Sequence, residues 1–129
     1  MPSAADDIVS GIIAKWSAGF ERLDAAALAS LYSRSAFFFG SNPSLYRGRD
    51  GVAAYFNALP RWRSPTVQFT DVTTELVNSD LINLAAIASF VLDEGTTLSV
   101  KISWVIVRED DGWKIASHHV SSKIPLLQQ

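Results

Sequence analysis

The stretch LSVKISWVIVREDDGWKIASHHVSS, residues 98–122, reads as two long strands joined by a tight turn. Leu98, Val100, Ile102, Trp104 and Ile106 alternate with Ser99, Lys101, Ser103, Val105 and Val107. That period of two marks a strand with one face turned to a core, and the first set is the more apolar. Asp110-Asp111-Gly112 then supplies turn chemistry: Asp bonds its own backbone, and Gly accepts a left-handed conformation. A three-residue loop of type I turn plus glycine bulge pairs Glu109 with Trp113, Trp104 with His118 and Ile102 with Val120. His118 then looks inward beside Trp104, and His119 looks outward. A two-residue loop exchanges the two histidines, because a slip of one residue turns every side chain over. The three-residue loop is the expectation.

Working upstream, two more strands are expected at about 66–77 and 81–93, with turns at Asn78-Ser79-Asp80 and Glu94-Gly95. Connections this short force antiparallel neighbours, so the C-terminal half is a four-stranded meander whose twist leaves one face hollow. A two-residue Glu94-Gly95 turn pairs Asp93 with Thr96 and Ile87 with Ile102, which sends Ala85, Ile87, Ser89 and Val91 inward. The outward set, Val105, Val107, Trp113, Ile115, Ser117 and His119, is too apolar for a face left in water. A homodimer with sheets face to face is therefore expected.

The N-terminal half has the helical period. Ser3 with Asp6 begins a capping box, and Ile8, Ile12, Ile13, Trp16 and Phe20 form one stripe. Asp24 caps a short helix over Ala25–Tyr32, and Ala36–Phe39 is a short edge strand. Gly40-Ser41-Asn42-Pro43-Ser44 is a loop by composition, and the segment 40–48 is placed to act as a lid. Val52, Tyr55, Phe56 and Leu59 mark a third helix from about Asp50, stopped by Pro60. These helices fill the hollow of the sheet, so the fold class is α+β and residues 1–129 form one domain.

With 129 residues, 48% hydrophobic and 19% charged, the chain can bury a core without staples. It has no cysteine, which excludes disulfides, thiolate metal sites and cysteine catalysis. Asp6, Asp7 and Lys15 are at odds with a secretory leader, and no apolar run reaches the ~20 residues of a membrane helix. A cytoplasmic protein without membrane contact is expected. The net charge of −2 and the scattered cations argue against nucleic acid, although Arg61-Trp62-Arg63 is a basic–aromatic–basic triplet.

Leu45-Tyr46-Arg47-Gly48 leading to Asp50, the helix Tyr55-Phe56-Asn57-Ala58-Leu59, and Asp111-Gly112-Trp113-Lys114-Ile115 leading to His119-Val120-Ser121 resemble the nuclear transport factor 2-like superfamily. That cone-shaped fold also houses the SnoaL-like polyketide cyclases and ketosteroid isomerases. Within it, the chain most resembles the association domain of calcium/calmodulin-dependent protein kinase II and its stand-alone bacterial relatives. The resemblance implies helices packed on a curved antiparallel sheet. It also implies a polar pocket, with arginines on three strands and a histidine on the third helix. Those positions are Ile87, Trp104, Val120 and Val52 here, all apolar, so binding of small acids is not carried over.

Among candidate chemical groups His118 stands first: an imidazole beside an indole can serve as general acid or base. The competing reading is a buried histidine that packs and bonds its neighbours. If the Asn78–Asp80 turn uses three residues, Val67, Phe69 and Asp71 face inward, and Asp71 could complete an acid–base pair with His118. Tyr46 or Tyr55 would then donate to an oxyanion. Adjacent histidines on a strand point apart and cannot share an ion, so no metal site is expected, and no cofactor. The aromatic set Trp16, Tyr32, Phe38, Tyr46, Tyr55, Phe56, Trp62, Phe69 and Trp104 is part core and part cavity wall.

Three functions are consistent with this reading. The first is a small-molecule binding domain whose pocket is lined by Tyr46, Val52, Tyr55, Ile87, Ile102, Trp104, His118 and Val120. The second is a cofactor-free isomerase or cyclase using His118, with or without Asp71, as acid/base. The third is an association module with a vestigial pocket.

Overall fold

Ser3 opens the fold with the reciprocal cap expected of it. Its hydroxyl accepts the Asp6 N–H at 3.1 Å, and the Asp6 carboxylate accepts the Ser3 N–H at 3.3 Å. Such a cap is worth about 0.5–2 kcal/mol. In the computed structural model, which describes residues 3–93, 95–124 and 127, it starts helix α1, Ala4–Glu21. Val9, Ile12, Trp16 and Phe20 fill the buried stripe of α1, while Ile8 and Ile13 sit at its margins. Asp24 caps α2, Ala25–Ala29, by accepting the Ala27 N–H at 3.0 Å.

Helix α2 stops three residues earlier than the sequence suggests, and the chain turns directly into β1, Tyr32–Phe39. Strand β2 is Leu45–Arg47, helix α3 Gly48–Asn57, and the long strands are β3 Thr66–Asn78, β4 Leu81–Asp93, β5 Thr96–Glu109 and β6 Gly112–Ser122. The sheet has six strands in the order β2-β1-β6-β5-β4-β3. The expected four-stranded antiparallel sheet is therefore extended: β1 is no edge strand but lies parallel to β6, with β2 antiparallel on its far side. Ser33, Arg34 and Ser35 hide the first half of β1 from a hydrophobicity reading. Its alternation emerges only with Ala36 and Phe38 buried and Phe37 and Phe39 exposed.

Bulges decide which side chains face the helices. In the last hairpin Glu109 pairs with Gly112, a two-residue loop rather than the expected three. A bulge at Ala116 then restores the parity, because Val105 pairs with Ser117 but Ile106 with Ile115. Trp104 thus pairs with His118 and Ile102 with Val120, by a different route from the one expected. Between that shorter loop and the bulge the parity is reversed, so Ile115, expected outward, lies fully in the core and Trp113 is half-buried against it.

Asp93 pairs with Thr96, as a two-residue connection requires; Glu94 itself lies outside the described residues. A bulge at Leu92 then moves the register by one, so Ile102 faces Ala86 and not Ile87. Ile82, Leu84, Ala86 and Ala88 are the buried residues of β4, which corrects the expectation of Ala85, Ile87, Ser89 and Val91. On β3, Phe69 packs inward against Trp16 and Trp104. A third bulge at Asp71-Val72 comes next, with Asp71 at φ +53°. Extra residues of this kind bend strands and raise their twist, which shapes the hollow that α1 and α3 fill.

Gly48 starts α3 at φ +70°, where an added Cβ would approach the Arg34 carbonyl oxygen at 3.0 Å. Gly48→Ala is expected to lower unfolding free energy by about 1–2 kcal/mol, read from urea denaturation, because a side chain in the left-handed region costs that much.

Candidate functional site

Between α1, α3 and the inner face of β4–β6 lies a cavity of about 420 Å³. That volume falls within the usual range for small-molecule sites. Its wall is Trp16, Phe20, Phe38, Tyr55, Phe56 and Trp62 from the N-terminal half, closed by Phe90, Val100, Ile102 and Val120 from the sheet. Leu98, 44% exposed, stands at the mouth. Gly40 and Ser41 of the expected lid line it as well. Gly40 is needed there, since a Cβ would collide with the Tyr55 ring at 2.5 Å. The Tyr55 hydroxyl accepts the Ser41 N–H at 2.9 Å and shares a hydrogen bond with the Ser41 hydroxyl at 2.8 Å.

Of the side chains expected to line a pocket, the cavity brings together Tyr55, Ile102, His118 and Val120. Trp104 and Val52 are buried behind the wall. Tyr46 packs edge-on against Tyr55, with ring centroids 5.3 Å apart, and accepts a hydrogen bond from the Asn42 amide at 3.1 Å. Ile87 is on the opposite face of the sheet, displaced by the Leu92 bulge. Its place opposite Ile102 is taken by Ala86, so this part of the inner face stays apolar.

Asp71 is the larger correction. Its bulge turns it to the outer face, where with Ile87, Lys101, Ser103 and His119 it lines a separate hollow. It cannot pair with His118, which is 3% exposed on the inner side.

His118 is held by a chain of hydrogen bonds, of which the sequence reveals only the histidine's own position and its partner Trp104. Trp104 Nε1–H donates to His118 Nδ1 at 2.9 Å. The Tyr32 hydroxyl bonds the same nitrogen at 2.9 Å and accepts Trp16 Nε1–H at 3.0 Å. Phe38 stacks on the imidazole at 4.0 Å between centroids, 20° from parallel. A helix running to Tyr32, as the sequence suggests, gives its hydroxyl no reason to meet residue 118. The parallel pairing of β1 with β6, a contact across 86 residues, makes that meeting possible.

Burial pushes the His118 pKa from 6.5 down to about 3, with a smaller contribution from His119. Burial likewise raises the Tyr32 hydroxyl far above its ordinary value, against the pull of the Trp16 hydrogen bond. Both groups stay neutral at physiological pH. Between pH 6.5 and about 3, therefore, the unfolded chain binds a proton at residue 118 that the folded chain excludes. Stability is complete above pH 6.5 and falls as the pH drops, by a slope approaching roughly 1.4 kcal/mol per pH unit. Urea denaturation from pH 7.5 to 4.5 is expected to show this loss, and His118→Gln to flatten it.

The model of the SnoaL-like domain matches residues 9–126. No curated protein matches the chain. Among solved structures, one from Xanthomonas campestris named for the calcium/calmodulin-dependent protein kinase II association domain superposes with a TM-score of 0.84 at 20% identity, covering 98% of this chain and 91% of that one. A domain of unknown function with a cystatin-like fold from Nostoc punctiforme gives 0.82 at 18% identity, covering 98% and 82%. A Novosphingobium aromaticivorans protein named for scytalone dehydratase gives 0.82 at 12% identity, covering 92% and 83%. At these identities the likeness is one of fold. The family match takes in every strand and all but the start of α1, so the chain belongs to the SnoaL-like family, with its nuclear transport factor 2-like, cystatin-like architecture.

Proposed function

We propose that this chain is a binding domain for an uncharged, mainly apolar small molecule held between the helices and the inner face of the sheet. One observation carries the reading: the cavity of about 420 Å³ is walled by aromatic and aliphatic side chains, and among the described residues no Asp, Glu, Lys or Arg lines it. An ionic ligand would lose its hydration there without a counter-charge, a cost of several kcal/mol. An apolar ligand gains about 25 cal/mol for each Å² of its surface removed from water. The acid–base reading loses its support, since Asp71 is on the other face and His118 Nδ1 is already engaged. A neighbour's name, dehydratase, does not bring that chemistry here at 12% identity. The vestigial-pocket reading loses support from the open cavity.

The reading is tested with an uncharged solvatochromic dye. Wild-type protein is expected to bind it with a blue shift. Val100→Trp, which fills the cavity from its floor, is expected to weaken binding at least about tenfold while melting stays cooperative. Equal binding by both proteins would count against the site.

We also propose that the outer face of the sheet pairs with a second copy. Cross-strand rows there run Phe37, Ser117, Val105, Asn83 and Phe39, His119, Ser103, Ala85. Phe37 is 49% and Phe39 39% exposed, and these two rings with Val105 are the apolar surface that a second copy would cover. Ile115 drops out of the expected interface because it is buried in the core, and half-buried Trp113 leaves with it. Sedimentation of Phe37→Glu/Phe39→Glu is expected to give a monomer where wild type gives a dimer.

A further inference from the structure

The hydrogen bonds around His118 fix where its proton sits. An indole N–H can donate and cannot accept. Trp104 Nε1–H is directed at Nδ1 of His118 at 2.9 Å, so that nitrogen carries a lone pair and no proton. The Tyr32 hydroxyl, 2.9 Å from the same atom, must then donate to it as well. Its oxygen is left to accept Trp16 Nε1–H at 3.0 Å. Two indoles, each able only to donate, give every proton in the chain one direction. The proton of the neutral ring is on Nε2. Among the described residues nothing bonds Nε2, while His118 lines the cavity.

We infer that the pocket selects an uncharged ligand with a hydrogen-bond-accepting oxygen, such as an aryl ketone, ester or quinone carbonyl, which receives the Nε2–H of His118. This deepens the binding-site reading and rests on it. Trp104, Tyr32 and Trp16 are positioning residues: they hold the ring as a donor and deny it the role of base. Taking up a second proton would set an Nδ1–H against the N–H of Trp104. The titratable groups facing the ring are Tyr32 on β1 and Tyr55 on α3 across the cavity, with His119 behind it on the other face. Among the described residues no carboxylate lines the cavity to hold an imidazolium. The depressed pKa of His118, about 3, agrees with the geometry. Phe38, stacked at 4.0 Å, keeps the ring plane from turning.

Three probes of one size separate the possibilities: 2-acetylnaphthalene, 2-isopropylnaphthalene and the anion 2-naphthoate, each titrated into wild-type protein from pH 8 to 5. The ketone is expected to bind about tenfold more tightly than the hydrocarbon, the yield of one neutral hydrogen bond, and the anion most weakly. Nitrogen NMR of the His118 ring is expected to show one protonated nitrogen, Nε2, and one bare nitrogen across that range. Trp104→Phe removes the donor that forbids a proton on Nδ1, so it should let the Nδ1–H tautomer appear in the nitrogen spectrum and shrink the ketone's advantage; the wild-type arms stand if that variant does not fold. Equal binding of ketone and hydrocarbon, or a proton on Nδ1, overturns the inference and leaves the apolar site standing. If none of the three binds, the site and the inference fall together.

Discussion

Two donors converge on one nitrogen of His118, and much of the molecule is arranged to let them do so. A buried imidazole is costly unless its polar atoms are partnered. Here Nδ1 is partnered by Tyr32 on β1 and Trp104 on β5, with Trp16 on α1 bonding Tyr32 in turn, so that with His118 on β6 the network spans four elements. Each must be placed within a fraction of an ångström. Helix α1 has to lie across the hollow, β1 must pair in parallel with β6, and the register between β5 and β6 must set residue 104 opposite residue 118. The aromatic rings around the network supply the burial that keeps it dry. Phe69 and Phe56 meet Trp16 edge-on, with centroids 5.6 and 6.0 Å away.

The register shows where a sequence speaks and where it is silent. Alternation in Leu98–Ile106 and the turn residues at 78–80 and 110–112 mark the meander, and the spacing of Val52, Tyr55 and Phe56 marks α3. Bulges leave no such trace. Leu92 and Ala116 have no composition that distinguishes an extra residue from a paired one, and each reverses the parity of the strand beyond it. Ile87 leaves the inner face for that reason. His118 reaches it only because a shorter loop and a bulge shift the register in opposite senses. The first half of β1 is equally hidden: its partner lies some 80 residues away in sequence, and Ser33-Arg34-Ser35 carries no strand signal. Of the candidate site, Tyr55, Ile102, His118 and Val120 are legible in the sequence; the role of Tyr32 is not, since its position depends on that pairing.

The two faces of the sheet differ in kind. The inner face holds an apolar cavity with one fixed donor and a hydroxyl pair at Tyr55 and Ser41. The outer face mixes Phe37, Phe39 and Val105 with Asp71, Lys101 and His119. That separation leaves ionisable groups where water can meet them; under the function we propose, the interior would recognise a ligand by shape and by a single directed hydrogen bond. Val52, Trp104 and Val120, apolar on the inner side where the resemblance to the kinase association domain implies histidine and arginine, fit the same division; Ile87, the fourth such position, lies on the outer face.

A crystal structure of the protein with 2-acetylnaphthalene would show directly whether His118 Nε2 donates to a bound ligand. The naphthalene ring is expected against Phe38 and Ile102, with its carbonyl oxygen about 2.7–3.2 Å from His118 Nε2 and the Trp104 and Tyr32 hydrogen bonds to Nδ1 unbroken. A ketone oxygen directed away from His118, or an imidazole turned to face the cavity with a bare nitrogen, would contradict it.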